Sequence, residues 1–158
     1  MLYAELSQNM IIANSSPLVA LGRMDRLDIL EEQFGKIYIP SAVYQEAVVE
    51  TSYRVQRAAI QNSIQTQKII IVEPTTEHTF RRNLHAGERG VLSLALEKKA
   101  KALIIDDKKA RNEANELGLQ TTLFYTSDIL KGAEKRGLIE SYFNVVEQLR
   151  SMNIYLPE

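Results

Sequence analysis

The chain has 158 residues, no cysteine and two histidines, and it sets 19 basic against 20 acidic side chains for a formal charge of -1. That length suits one domain with a core of its own. The missing thiols exclude disulfides, cysteine nucleophiles and thiolate metal or iron–sulfur sites, and the balanced charge excludes a polycation that coats nucleic acid without selectivity.

The opening residues lack a basic stretch followed by a long apolar run, so no targeting segment is read there. Residues 1–9 read as an upstream-start extension or a loosely held tail, outside a single domain of residues 10–158. The longest apolar runs, such as residues 69–72 and 103–105, are far too short to span a bilayer. No membrane contact is expected, and cytoplasm is the expected location.

Residues 11–13 predict a short buried strand. Ser16 and Pro17 then read as the cap and first position of a helix reaching Gly22, because proline's missing N–H costs nothing there. Residues 25–32 predict a second short helix, and residues 36–39 a second strand closed by Pro40. Ser41 opens a helix through Val48, and a long polar helix follows over residues 52–65. Residues 69–72 predict a third strand, and residues 75–84 a helix or turn. An apolar stripe from Val91 to Leu96 predicts a helix over residues 88–99. Residues 102–105 form the clearest strand, ending in Asp106 and Asp107. A helix over residues 110–117 stops at Gly118, and one over residues 127–136 stops at Gly137. A strand over residues 120–124 lies between them, and residues 140–152 predict a last amphipathic helix.

Short apolar strands alternating with helices predict an α/β fold with a parallel sheet covered on both faces. Ligands of such sheets bind outside the carboxyl ends of the strands. Asn14 follows the first strand, Glu46 sits on the helix after the second, Glu88 opens a helix, and Asp106 and Asp107 follow the fourth. Carboxylates without histidine or cysteine suit a hard cation such as Mg²⁺ or Mn²⁺, which supports phosphodiester hydrolysis. Each acid also has a plainer role: Glu46 as a solvated helix residue, Glu88 as a dipole partner, and Asp106 or Asp107 as a helix cap. Arg81 to Arg111 holds 9 basic and 4 acidic residues, either solvated helix faces or a basic rim beside the acids. Asp128 reads first as a cap.

The segments Ile-Ile-Ala-Asn-Ser-Ser-Pro-Leu-Val-Ala-Leu (11–21), Ile-Pro-Ser-Ala-Val-Tyr-Gln-Glu (39–46), Gly-Glu-Arg-Gly-Val-Leu-Ser-Leu-Ala-Leu (87–96) and Leu-Ile-Ile-Asp-Asp-Lys-Lys-Ala-Arg (103–111) together resemble PIN domains. They are most similar to a prokaryotic PIN-like subgroup related to toxin–antitoxin ribonucleases. The resemblance implies a three-layer α/β/α sandwich with a central, mainly parallel sheet. It implies Mg²⁺- or Mn²⁺-dependent hydrolysis of RNA, single-stranded or structured, a homodimer, and an antitoxin partner if the chain is a toxin. By position, Glu46, Glu88, Asp106 and Asp107 would be metal ligands, with Asn14 completing the catalytic set. Ser16 would lie in the turn beside the site, and Arg89, Lys108, Lys109 and Arg111 would steer the RNA backbone. The family's first acid is aspartate, and here that position is Asn14. Losing its charge weakens a cation site, so the alternative is a weakened or inactive PIN-fold module that binds RNA or protein. Tyr125 also departs from the subgroup's glycine-containing turn, in which Thr126 matches. A third reading, a small phosphorylated ligand at a helix N-terminus, lacks a glycine-rich phosphate loop.

Overall fold

The structure, a computed structural model, describes residues 9–157. Of the expected tail, residues 1–8 lie outside the described residues. Five strands, β1 (Ile11–Ala13), β2 (Ile37–Ile39), β3 (Ile69–Ile71), β4 (Ala102–Ile104) and β5 (Thr122–Phe124), form one all-parallel sheet in the order β3-β2-β1-β4-β5. Ile12 is in register with Tyr38 on one side and Leu103 on the other. Every residue of β1 and β4 is buried, whereas the edge strands β3 and β5 are partly open. A parallel strand covered on both faces needs apolar side chains at every position, which is why these segments read as runs rather than alternations.

The helices are α1 (Ser15–Arg23), α2 (Asp28–Phe34), α3 (Ser41–Tyr44) continued by a π-helical turn (Gln45–Val49), α4 (Arg54–Gln65), α5 (Ala86–Lys98), α6 (Lys108–Glu116), α7 (Thr126–Lys135) and α8 (Tyr142–Ser151). Two packed groups result. One joins α1 to α4, α2 to α7, and α7 to α8; the other joins α3 to α5, and α5 to α6. Right-handed crossovers set α1 and α4, between β1 and β3, apart from α5 and α6, between β3 and β5; α3 and its π turn bridge the two groups, since α3 packs on α5 while the turn packs on α1 and α4. Among the described residues no helix is long and apolar enough to cross a membrane.

Two expectations change. Helix α1 opens at Ser15, with Asn14 in the cap position, because Asn14 is still held in the sheet by its N–H bond to Ile104 O at 3.0 Å. The segment over residues 75–84 is irregular rather than helical. Its backbone N–H groups find side chains instead of their own carbonyls: Thr75 N–H bonds Glu97 at 2.8 Å, His78 N–H bonds Ser93 Oγ at 3.4 Å, and Arg82 N–H bonds Glu113 at 2.8 Å. The expected stop at Gly137 is present in full. Gly137, at φ 75°, donates to Glu134 O at 3.1 Å, and Leu138 N–H reaches Ala133 O at 2.9 Å, the paired bonds that end a helix on a left-handed residue.

The centre of the sheet carries the packing. Leu103, fully buried between two strands and two helical layers, should cost about 2–5 kcal/mol when changed to alanine. Urea unfolding of Leu103→Ala against the parent chain measures this.

Candidate active site

The strand order reverses between β1 and β4, which opens a crevice beyond their carboxyl ends. Asn14 leaves β1 at this point. It is buried, and its Oδ1 has no hydrogen-bond partner among the described residues. A buried acceptor left alone is costly, about 1–3 kcal/mol, and it marks the place where a ligand or ordered water would restore a bond.

Ser15, the next residue, donates Oγ to Glu46 Oε2 at 3.0 Å. The other oxygen of Glu46 accepts the Gly87 N–H at 3.2 Å. Glu46 therefore ties the start of α1 to the start of α5 from its place in the π-helical turn. Gly87 leaves room for it: a Cβ on residue 87 would stand 2.6 Å from Glu46 Oε1 and would push the carboxylate aside. Glu88 follows in the first turn of α5 and is buried, and it accepts the His85 N–H at 3.4 Å. Burial, then the charge of Asp107, hold the Glu88 carboxyl above the usual carboxylate range. Glu46 adds a smaller push, while the His85 N–H and imidazole pull it down.

The two aspartates after β4 part company. Asp106 is buried and accepts Thr126 N–H at 2.7 Å on one oxygen and Thr126 Oγ1 at 2.8 Å on the other. Its carboxyl is also raised, chiefly by burial and slightly by Asp128, against the two Thr126 bonds and the charge of Arg111. Asp107 is exposed and caps α6, accepting Ala110 N–H at 2.8 Å. The structure thus brings Asn14, Glu46, Glu88 and Asp107 toward one crevice and commits Asp106 to anchoring α7.

The basic residues are mostly engaged. Arg111 donates to Ile105 O at 2.8 Å and lies over the Tyr125 ring, 3.5 Å from its centroid. Lys109 reaches Asn83 O at 3.3 Å, and Arg89 bonds Leu84 O. Lys108 is exposed and has no partner among the described residues. Ser16 is half-buried and makes no hydrogen bond through its side chain among the described residues. Asp128 accepts the Tyr125 N–H at 2.8 Å, the capping role expected of it.

A family model described as DUF3368: PIN domain matches residues 10–158. The chain belongs to the PIN-domain family. Its structure is similar to that of a PilT N-terminus domain protein, SSO1118, from the hyperthermophilic archaeon Sulfolobus solfataricus P2. The TM-score is 0.57 with 21% identity, covering 78% of this chain and 92% of that one. A likeness at that identity speaks to the fold. No curated protein matches.

The donor chemistry of this PIN domain suits a hard divalent ion: three carboxylates, two of them raising the proton affinity of the third, and a buried amide oxygen without a partner. The spacing is looser. Among the described residues no three histidine, aspartate or glutamate side chains stand close enough to hold one ion, because Glu46 and Asp107 are drawn to backbone N–H groups. Sequence reasoning missed Ser15 and Gly87 as partners of Glu46. Their adjacency to Asn14 and Glu88 was the available signal. Thr126, matched by the family resemblance, holds Asp106.

A raised carboxyl has a definite consequence for stability. Between its ordinary value and its folded value, folded Glu88 holds more proton than the unfolded chain does, so stability falls as pH rises through that window. Asp106 acts in the same direction, whereas half-buried Glu97 and exposed Glu116 are lowered and act oppositely, Glu97 chiefly through its bond from Thr75 and Glu116 through its bond from Arg82. Glu88→Gln should therefore remove part of the downward slope above about pH 4.5. It should raise the metal-free Tm at pH 7 above that of the parent chain. Calorimetric scans of both proteins from pH 4 to 8 measure it.

Proposed function

We propose that this PIN domain is an Mg²⁺- or Mn²⁺-dependent ribonuclease whose activity is held low by Asn14. The observation that carries the reading is the convergence of four separate segments on the switch point, with Asn14 Oδ1 buried there without a partner. Asn14, Glu46, Glu88 and Asp107 would hold the ion. When bound, the ion supplies a water of lowered pKa and offsets the charge gathering on the leaving oxygen of a phosphodiester. The chain's own residues do the rest. Ser15 and the Gly87 N–H orient Glu46. Glu88, with its raised carboxyl, keeps a proton longer than an ordinary glutamate and gives it up when a cation enters. Lys108, at the first turn of α6 beside Asp107, is free to meet a phosphate of single-stranded RNA.

A second reading is favoured by the neutral amide at residue 14 and by the loose spacing of the acids: a PIN-fold module that binds RNA or protein without cutting. One substitution separates the two. Asn14→Asp fits without repacking and adds a charge beside like charges in a buried place. It should lower metal-free stability by about 1 kcal/mol or more. It should raise Mn²⁺ affinity by at least about tenfold, the equivalent of 1.4 kcal/mol, and increase cleavage of single-stranded RNA. Calorimetric titration with Mn²⁺ and a gel assay on both proteins read this, with Asp107→Ala as the control for contaminating nuclease. Equal Mn²⁺ affinity in both proteins would place residue 14 outside the ion's reach. RNA bound but uncut by Asn14→Asp would favour the second reading.

The same proposal includes a homodimer, supported by Val49, Tyr53 and Val55, which stand about half exposed around the start of α4. Light scattering at micromolar concentration should give twice the chain mass of 17.9 kDa. A single-chain mass would remove the dimer from the proposal. An antitoxin partner belongs to the toxin form of the proposal, for which a small DNA-binding protein encoded beside this chain is the supporting observation to seek.

A further inference from the structure

Glu46 stands on a π-helical turn, Gln45–Val49, closed by the Glu50 N–H on Gln45 O at 2.9 Å. Single π turns are rare, and they gather at functional sites because they re-aim a side chain. The last carbonyls of such a turn have no partner in their own ladder. Here two adjacent side chains of α4 supply the donors. Gln56, 1% exposed, gives its Nε2 N–H to Ala47 O at 2.7 Å. Arg57 gives its Nε N–H to Val48 O at 3.0 Å and a second N–H to Thr51 O.

Gln56 is itself held at its other end. Its Oε1 accepts from Arg23 Nε at 3.2 Å, and the Arg23 guanidinium lies over the Tyr53 ring and reaches Met152 O. Gly22 lets α1 come close enough for this, since a Cβ there would already stand 3.3 Å from Gln56 Cγ. The carbonyls being held belong to the two residues after Glu46. Fixing them fixes the roll of the turn, and with it the direction of the Glu46 carboxylate toward Ser15 Oγ and the Gly87 N–H.

We propose that Gln56 and Arg57 are positioning residues for Glu46, holding the π turn in the one orientation that delivers its carboxylate to the crevice. The functional weight of this arrangement rests on the ribonuclease reading above. The positioning itself is read from the Gly87 amide, which reports Glu46 whether or not an ion or an RNA binds.

Gln56→Glu is nearly isosteric. It keeps an acceptor for Arg23 but replaces the donor to Ala47 O with a second acceptor. Arg57→Met keeps the stem and removes both donors. Amide spectra of the full chain, with ¹⁵N label, should show the Gly87 resonance in each variant moved at least half-way from its parent position to its position in Glu46→Ala. Gln61→Ala, on the exposed side of α4, should leave it in place. Calorimetric Mn²⁺ titration should show about tenfold weaker binding in both variants, the lower end of what outer partners of a metal site contribute. A Gly87 amide unmoved in the folded variants overturns the proposal. Should Gln56→Glu fail to fold, Arg57→Met decides alone by the same measure. A Gly87 amide that moves in the variants, while the parent chain takes no Mn²⁺, upholds the positioning and sinks the ion-dependent reading instead.

Discussion

The parallel ladder between β1 and β4 is the constraint on which the rest of this structure depends. These strands lie far apart along the chain, yet Ala13 is paired with Ile104, and the Asn14 N–H continues the ladder by one more bond. With the two strands side by side at the centre, the helices that follow them must leave on opposite faces. The crevice between their departures is the concave polar surface that an open α/β sheet reserves for a ligand. Everything placed there arrives on segments that the same ladder orients.

Within that crevice the acids are crowded. A carboxylate there is repelled by its neighbours and stripped of water. Glu46, Asp106 and Asp107 each offset that cost with bonds from backbone N–H groups, at Gly87, Thr126 and Ala110. Glu88 has the weakest such support, a 3.4 Å contact with His85 N–H that only partly opposes the burial and the Asp107 charge that raise its proton affinity. Asp106 has the strongest, two short bonds to one threonine, and has become a joint between β4 and α7. The adjacent Asp-Asp pair thus divides its labour: the inner residue anchors and the outer one faces the crevice.

The strands were legible because burial on both faces demands unbroken apolar runs, and Ile-Ile-Ala, Ile-Ile-Ile and Ala-Leu-Ile are such runs, too short to be helices of their own. Gly118 and Gly137 gave helix ends for an equally local reason. The segment over residues 75–84 was illegible because its backbone is satisfied by Glu97, Ser93 and Glu113, partners that only the folded arrangement supplies. The π turn at Glu46 was hidden in the same way, since Gln45–Val49 has ordinary helical composition and its unusual bonding is sustained from outside. The site was legible as a set of acids at strand ends and helix starts. Which of the two aspartates would turn inward depended on Thr126, a contact that crosses from β4 to α7 and leaves no mark in local pattern.

The shortness of the strands has a consequence for how this protein behaves in a crowded solution. Each strand is three residues long, and the two at the margins, β3 and β5, are no longer than those at the centre. An open margin is ordinarily an invitation for another chain to add a strand and begin aggregation. Three residues offer too few free N–H and C=O groups to template such an addition. The sheet is held by helices pressed on its faces rather than by the length of its ladders, and it leaves little for a foreign strand to grip.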